Sequence, residues 1–326
     1  MMNILAATVI LVAVLSGSSG SALAAGDDEP REWLERMSTA MSQMTYQGTF
    51  VYVQGDNVDT MRITHVSDQD GVRERLVSVT GAPREVLRDS SGVRWVLADD
   101  QSVFADSAFK RSFFPELPLD EDDQTAESYS LSLGGRARIA GHMARNLKVL
   151  PRDKYRYGYS LWLEEHSGLL LKWIMIDSNR KPLAKLMFTD VRLGSEVDVK
   201  ELKSSSQLKK FKTVESSLPS GRGISQAKPR WQPAELPPGF SLTAHRYFGQ
   251  QDQGIYEHLV YSDGLAAVSV YVESNDSQSR NETGLKRRGT THAFLRMTDD
   301  VLITVVGDVP AITVQSVADT VVPVSP

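Results

Sequence analysis

The sequence predicts an α+β protein, mainly antiparallel β, built as two units. Short runs of β-branched and aromatic residues recur along most of the chain. Polar turn signals part them at spacings too short for parallel crossovers, which need a dozen residues or more. One stretch rich in Ser, Lys and Gly then divides a large unit from a smaller one.

The elements follow in order. Residues 1–25 read as a secretory signal peptide: Ile4 to Leu15 is a 12-residue apolar run, and Ala22-Leu23-Ala24 supplies the cleavage pattern. A permanent span needs roughly 20 apolar residues. Met1-Met2-Asn3 lacks the usual basic residue, so an uncleaved anchor is the alternative. No later segment is long and apolar enough to span, and a soluble exported chain is expected after cleavage near Ala24 or Ala25. Glu29 to Met44 is the expected N-terminal helix, with Trp33, Leu34, Met37, Met41 and Met44 at three- and four-residue spacings and Pro30 at an early position. Six strands follow at 47–54, 59–66, 73–79, 84–89, 93–97 and 101–105, an antiparallel meander parted by turns such as Asp89-Ser90-Ser91-Gly92. Pro115 to Glu127 (PELPLDEDDQTAE) is acidic and almost free of apolar residues, as a loop or lid would be. Strand segments resume at 136–153, 155–165, 169–177 and 182–193. The turns Glu165-His166-Ser167-Gly168 and Asp177-Ser178-Asn179-Arg180 make consecutive hairpins of them. Residues 203–230 are the linker. The second unit, 231–320, holds strands in IYEHLVYS, LAAVSVYVES, THAFLRMTDD and VLITVVGDVP, and a terminal helix in ITVQSVADTVV.

Composition narrows the chemistry. The chain has no cysteine, which excludes disulfides, Cys-liganded zinc, thiol chemistry and acylation at a cysteine. Its net charge of -5 argues against a general nucleic-acid binder. The six histidines are scattered without ligand spacing, so no metal is expected. No nucleophile elbow, P-loop or dinucleotide fingerprint occurs, and neither an enzyme nor a cofactor is expected. Asp120 to Asp123 (DEDD) lacks the spacing of a calcium loop and reads as a solvated loop. Arg73-Glu74-Arg75 reads either as a salt-bridged strand surface or as a contact for an anionic ligand.

The stretch DKYRYGYSLWLEEHSGLLLKW (153–173) is the most telling. Tyr155, Tyr157, Tyr159, Leu161 and Leu163 fall on one parity; Lys154, Arg156, Gly158, Ser160 and Trp162 fall on the other. Acidic charge and this parity discard a base-stacking platform. Two readings stay open: an aromatic wall packed on the N-terminal helix, or the lining of an apolar ligand pocket.

Taken together, QGTFVY (47–52), VRERL (72–76), the run from AGHMARNLKV through PRDKYRYGYSLWLEEHSGLLLK (140–172), LPPGFSLT (236–243), YSDGLAAVSVYVE (261–273) and TVVGDVP (304–310) resemble the MucB/RseB family, periplasmic negative regulators of σE-type (AlgU-like) envelope-stress sigma factors. The resemblance implies a large unclosed antiparallel β-barrel, LolA/LolB-like, with helices on its concave face (29–202), followed by a smaller α+β partner-binding domain (231–320). It implies a periplasmic protein that binds the periplasmic segment of a MucA/RseA-like anti-sigma factor and shields it from site-1 proteolysis. Lipid or lipopolysaccharide entering the large domain releases the partner, because a ligand favouring the released state shifts the population toward it.

Within such a barrel, period-2 alternation selects the residues that line the cavity. Tyr155, Tyr157, Tyr159, Leu161 and Leu163 are placed on the concave face, with Trp173 and Met175 from the next strand and Phe50, Tyr52 and Trp95 from earlier ones. Arg62, Arg73 and Arg75 are candidates at the rim for lipid-headgroup phosphates. Tyr247, Tyr256, Tyr261 and Tyr271 are candidates for the anti-sigma contact. A homo-oligomer is compatible with the sequence. The rival readings are a soluble LolA-type lipoprotein or lipid carrier, which would not need the second domain, and a non-enzymatic envelope scaffold with a filled core.

Overall fold

The structure is a computed structural model that describes residues 28–81, 83–97, 102–106, 127–194, 199–203, 212–215, 228–249, 255–274, 283–298 and 301–324. The expected signal peptide and the acidic stretch up to residue 126 lie outside these residues, as do the side chains of Trp95 and Tyr256.

Helix α1 spans Asp28–Gln43. The meander runs β1 (Tyr46–Gln54), β2 (Asn57–Asp68), β3 (Gly71–Ser78), β4 (Arg84–Asp89), β5 (Gly92–Leu97) and β6 (Ser102–Asp106). The chain resumes with β7 (Tyr129–Ile139), β8 (His142–Pro151), β9 (Gly158–Glu164), β10 (Leu170–Ile176) and β11 (Pro182–Leu193). β11 closes back on β1, so the twelve strands align as β12-β6-β5-β4-β3-β2-β1-β11-β10-β9-β8-β7, with β12 (Lys212–Glu215) parallel to β6. The two end strands do not pair, and the sheet is unclosed.

Three details depart from the sequence reading. The segment 136–153 is a hairpin, β7–β8, turning at Ala140 (φ 48°) and Gly141 (φ 87°); two positive φ values define the turn whose twist suits paired strands. The stretch 203–230 is more than a linker, since β12 lies within it. Strand β9 begins at Gly158, so Tyr155 and Tyr157 belong to the bend before the strand. Asp153 makes that bend, its carboxylate accepting the Tyr155 N–H at 2.9 Å.

α1 identifies the concave side. It touches both β2 and β8, which lie five places apart in the sheet, so it sits inside the curl. Leu34, Met37, Ala40 and Met41 face the sheet's core residues there, among them Ile63, Leu147, Leu161, Leu163 and Phe188. Arg36 ties the helix to the β9–β10 turn by donating to the carbonyls of Glu165 (2.7 Å) and His166 (3.0 Å). In that turn Gly168 has φ 82°, and a Cβ there would come within 2.9 Å of the Arg36 backbone. No larger residue fits under the helix.

The second sheet aligns as β14-β15-β16-β19-β18-β17: β14 (Ser241–Gly249), β15 (Ile255–Ser262), β16 (Ala267–Ser274), β17 (Gly284–Arg288), β18 (Thr291–Thr298) and β19 (Val301–Gly307). Helix α2 (Ala311–Thr320) covers one face through Val314, Val317 and Ala318. A short ladder of β13 (Trp231–Pro233) with β20 (Val321–Pro323) ties the start of this unit to its end.

Candidate functional site

Strand register settles which candidates share a face. Tyr52 lies opposite Leu186, Leu186 opposite Trp173, Trp173 opposite Leu161, and Leu161 opposite Leu147. The next row is Ala184, Met175, Tyr159 and Val149. Cross-strand partners point to the same side, so Tyr159, Leu161, Leu163, Trp173, Met175, Phe50 and Tyr52 belong to the helix-bearing face, and all sit in or against its core. The rings make one cluster: Tyr52 lies 6.0 Å from Trp173, Trp173 6.5 Å from Tyr159, and Phe50 meets Phe188 edge-on at 5.5 Å. Tyr52 and Trp173 are half-buried, whereas Tyr159 is 7 % exposed. Burial pushes the Tyr52, Tyr157 and Tyr159 phenols up. Trp95 is placed by its backbone alone, opposite Val86.

Other candidates move. The arginines do not rim this face. Arg62 pairs in register with Val77, and Arg75 with Thr64, positions that alternate with the core residues Ile63 and Leu76 and so face the opposite side. Arg73 is paired to Asp68, and Arg75 to the buried Glu85. For the 73–75 stretch the salt-bridged reading is the one the geometry supports.

Tyr155 reaches the second unit through its backbone, and Tyr157, which belongs to the core of the concave face, reaches it through its hydroxyl. The Tyr155 carbonyl accepts the Thr313 hydroxyl at 2.6 Å, and the Tyr157 hydroxyl lies 3.5 Å from His292 Nδ1. Between them Arg156 forms the centre of the contact between the units. Its guanidinium pairs with Asp153 (3.0 Å) and Asp263, donates to the Pro238 carbonyl, and lies over the rings of Tyr129 and Phe240 at 5.3 and 5.1 Å. Neither Arg156 nor Asp263 reaches solvent, and Tyr129 donates its hydroxyl to Asp263 at 2.9 Å. The LPPGF motif is explained here as well. Gly239 (φ 78°) carries the chain past Ser128, whose Oγ a Cβ would meet at 2.6 Å. Further along the contact, Gln54 donates to Thr290, which donates to Asp308 at 3.0 Å. Asp308 raises the phenols of Tyr52, Tyr157 and Tyr159 after burial does. The aromatic end of the concave face therefore abuts the second unit.

A second buried ionic group lies deeper. Tyr46 stacks on His65 (4.8 Å, 9°), whose Nδ1 donates to the Met44 carbonyl at 2.7 Å; Nε2 then faces Glu74 at 3.6 Å, and Arg88 pairs with Glu74 at 3.1 Å. Burial holds the His65 imidazole below its ordinary 6.5, although Glu74 opposes this. The unfolded chain thus binds a proton here that the folded one refuses. This contribution to stability is complete above about pH 6.5 and is lost as pH falls from there toward the lowered folded value. Replacing His65 by Gln is expected to flatten that part of the profile, read as urea midpoints at neutral and mildly acidic pH.

Among the partner candidates, Tyr261 is corrected to a core residue. It is 4 % exposed, and burial pushes its phenol up to about 12. Tyr247 packs under Arg230, 4.4 Å above its ring, on the sheet face that carries Glu257 and Val272. Tyr271 lies on the opposite face, stacked on His258 at 4.3 Å. Tyr256 is placed by its backbone opposite Glu273. Among the described residues no group of three or more His, Cys, Asp or Glu could hold a metal ion. No described helix is long and apolar enough to cross a membrane.

An open, helix-filled half-barrel joined through a buried arginine to a small sheet-and-helix unit defines a two-domain binding protein. Two family profiles match it: the MucB/RseB N-terminal domain over residues 29–206 and the MucB/RseB C-terminal domain over residues 225–322. The chain belongs to the MucB/RseB family. It is 31% identical over 312 residues to the Sigma factor AlgU regulatory protein MucB of Pseudomonas aeruginosa, covering 94% of each chain. To the Sigma-E factor regulatory protein RseB of Escherichia coli K12 it is 24% identical over 290 residues, covering 88% of this chain and 89% of that one. Among solved structures, the Pseudomonas aeruginosa MucA/MucB complex matches with TM-score 0.70 at 30% identity, over 91% of this chain and all of that one. A crystal structure of MucB alone matches with TM-score 0.66 at 31% identity, over 92% of this chain and 99% of that one.

Proposed function

We propose that this protein is a periplasmic, non-catalytic regulator that binds the periplasmic segment of a MucA/RseA-like transmembrane anti-sigma factor. It shields that segment from site-1 proteolysis and releases it when lipid or lipopolysaccharide occupies the concave face. Residues 29–202 are the lipid-sensing domain, and residues 231–320 bind the partner, with Tyr247, Tyr256 and Tyr271 as contact candidates. Membership of a family whose relatives are sigma-factor regulatory proteins carries the reading. The match to a MucB solved in complex with MucA supports the partner class.

Lipid and partner communicate because the aromatic cluster borders the contact between the domains. An acyl chain entering beside Tyr52 and Trp173 must displace side chains packed near Gln54 and Tyr157, which touch Thr290 and His292 of the second domain. Such a ligand favours whatever domain arrangement leaves room for it, and linkage then weakens a partner bound to the other arrangement.

Pull-down from periplasmic extract distinguishes the readings. A single inner-membrane protein's periplasmic domain is expected on the resin; a mixture of lipoproteins would instead make the protein a LolA-type carrier. For the ligand, Trp173→Asp places a charge at the half-buried edge of the cluster. It is expected to weaken binding of a fluorescent acyl probe tenfold or more, about 1.4 kcal/mol or above. Unchanged probe affinity in a folded variant sinks the concave-face assignment.

A further inference from the structure

The outer face of the half-barrel carries a surface the regulator reading does not use. Opposite the aromatic cluster, register builds one row from Val53, Lys185, Ile174, Ser160 and Lys148, and a second from Val51, Met187, Lys172 and Trp162. Val58 continues the first row beside Val53. Val58 is 60 % exposed and Met187 42 %, and Lys148 and Lys185 are exposed as well. Lys172 lies 4.3 Å over the Trp162 ring. Among the described residues no carboxylate stands in either row. Asp56 and Asp177 lie in turns beyond the strand ends, and in the row alongside, Asp190 is offset by Arg62.

We propose that this face docks the protein on an anionic phospholipid bilayer. Three features select that partner. The patch is cationic on a chain whose net charge is -5, so it stands out from its own field. Its lysines are interleaved with valine, isoleucine and methionine, which a lipid interface accepts and an aqueous face gains nothing from. Trp162, half-buried with its ring beside a lysine, has the amphipathic character that favours the headgroup layer. The occupant is a bilayer surface and not a single lipid molecule, because the residues spread over six neighbouring strands of one sheet face.

The test uses the chain without residues 1–25, sedimented with vesicles. Enrichment is expected on phosphatidylglycerol-rich vesicles over pure phosphatidylcholine, falling as salt is raised. Each single Lys→Gln change at 148, 172 or 185 should lower the partition coefficient about fivefold, and the triple variant about a hundredfold. These surface changes leave the fold intact, verified by an unchanged thermal midpoint. Equal partition of wild type onto the two vesicle types, or an unaltered partition of the triple variant, overturns the proposal. So does binding of polyglutamate without vesicle enrichment, which would make the face a site for acidic protein segments.

Discussion

Replacing Arg156 by alanine is expected to destabilise the protein by about 3–5 kcal/mol and to uncouple its two domains. The substitution strands the Asp263 carboxylate, 1 % exposed, with no cation beside it, and removes the donor from the Pro238 carbonyl. Burial of one unpaired charge accounts for most of the cost, since the desolvation paid for Asp263 is no longer offset. Lysine is expected to rescue little. It cannot reach Asp153, Asp263 and the carbonyl at once with a planar fork, nor lie flat over Tyr129 and Phe240. Wild type should melt in one transition and Arg156→Ala in two, read by calorimetry. Combining it with Asp263→Asn should cost less than the two single changes added, because the stranded charge is then gone. Two resolved transitions in wild type would show that the contact does not couple the domains.

That latch also lies beyond what local sequence pattern encodes. The parity of residues 159–163 placed Tyr159, Leu161 and Leu163 on one face with Trp173 and Met175, because a strand against a helix obeys period 2. Carried back past Gly158, the same parity no longer describes a strand: Tyr157 stays in the same buried cluster, while the Tyr155 backbone turns to the second unit. Asp153 bends the chain there by accepting the Tyr155 N–H, and an Asp two residues ahead was the available signal. For Arg156 parity gave only the side opposite the tyrosines; its partners Asp263 and Pro238 lie 107 and 82 residues away, a separation that no local pattern encodes. For Arg73 and Arg75 the carboxylates Asp68 and Glu85 were visible nearby, but which strand faces brought them together needed the register. Tyr261 stands immediately before the Ser262-Asp263-Gly264 turn of the YSDGL hairpin, and only the sheet pairing shows that it points into the core.

The second large effect is expected at Glu257. Its side chain is wholly buried in the small domain, and three donors converge on it: His245 Nε2 at 2.6 Å, the Arg230 N–H at 3.0 Å and the Trp231 N–H at 3.2 Å. Two of these are backbone groups at the entrance to the domain, next to the β13–β20 ladder, so one side chain fastens the incoming chain to the sheet. Glu257→Ala leaves two amides and an imidazole without their acceptor. At about 1–3 kcal/mol for each buried polar group left unsatisfied, the loss is about 3–5 kcal/mol once the site relaxes and admits water. Glu257→Gln keeps one acceptor oxygen and should recover roughly half of this. The expected signature is local: amide exchange accelerates at Arg230 and Trp231 and then across the second domain through sub-global opening, while α1 and the concave face keep their protection. Equal loss of protection in both domains would place the anchor's effect on the whole molecule. If partner binding rests on the second domain, Glu257→Ala should also weaken anti-sigma capture while leaving acyl-probe affinity at the Tyr52–Trp173 edge unchanged, a separation that neither a carrier nor a scaffold would display.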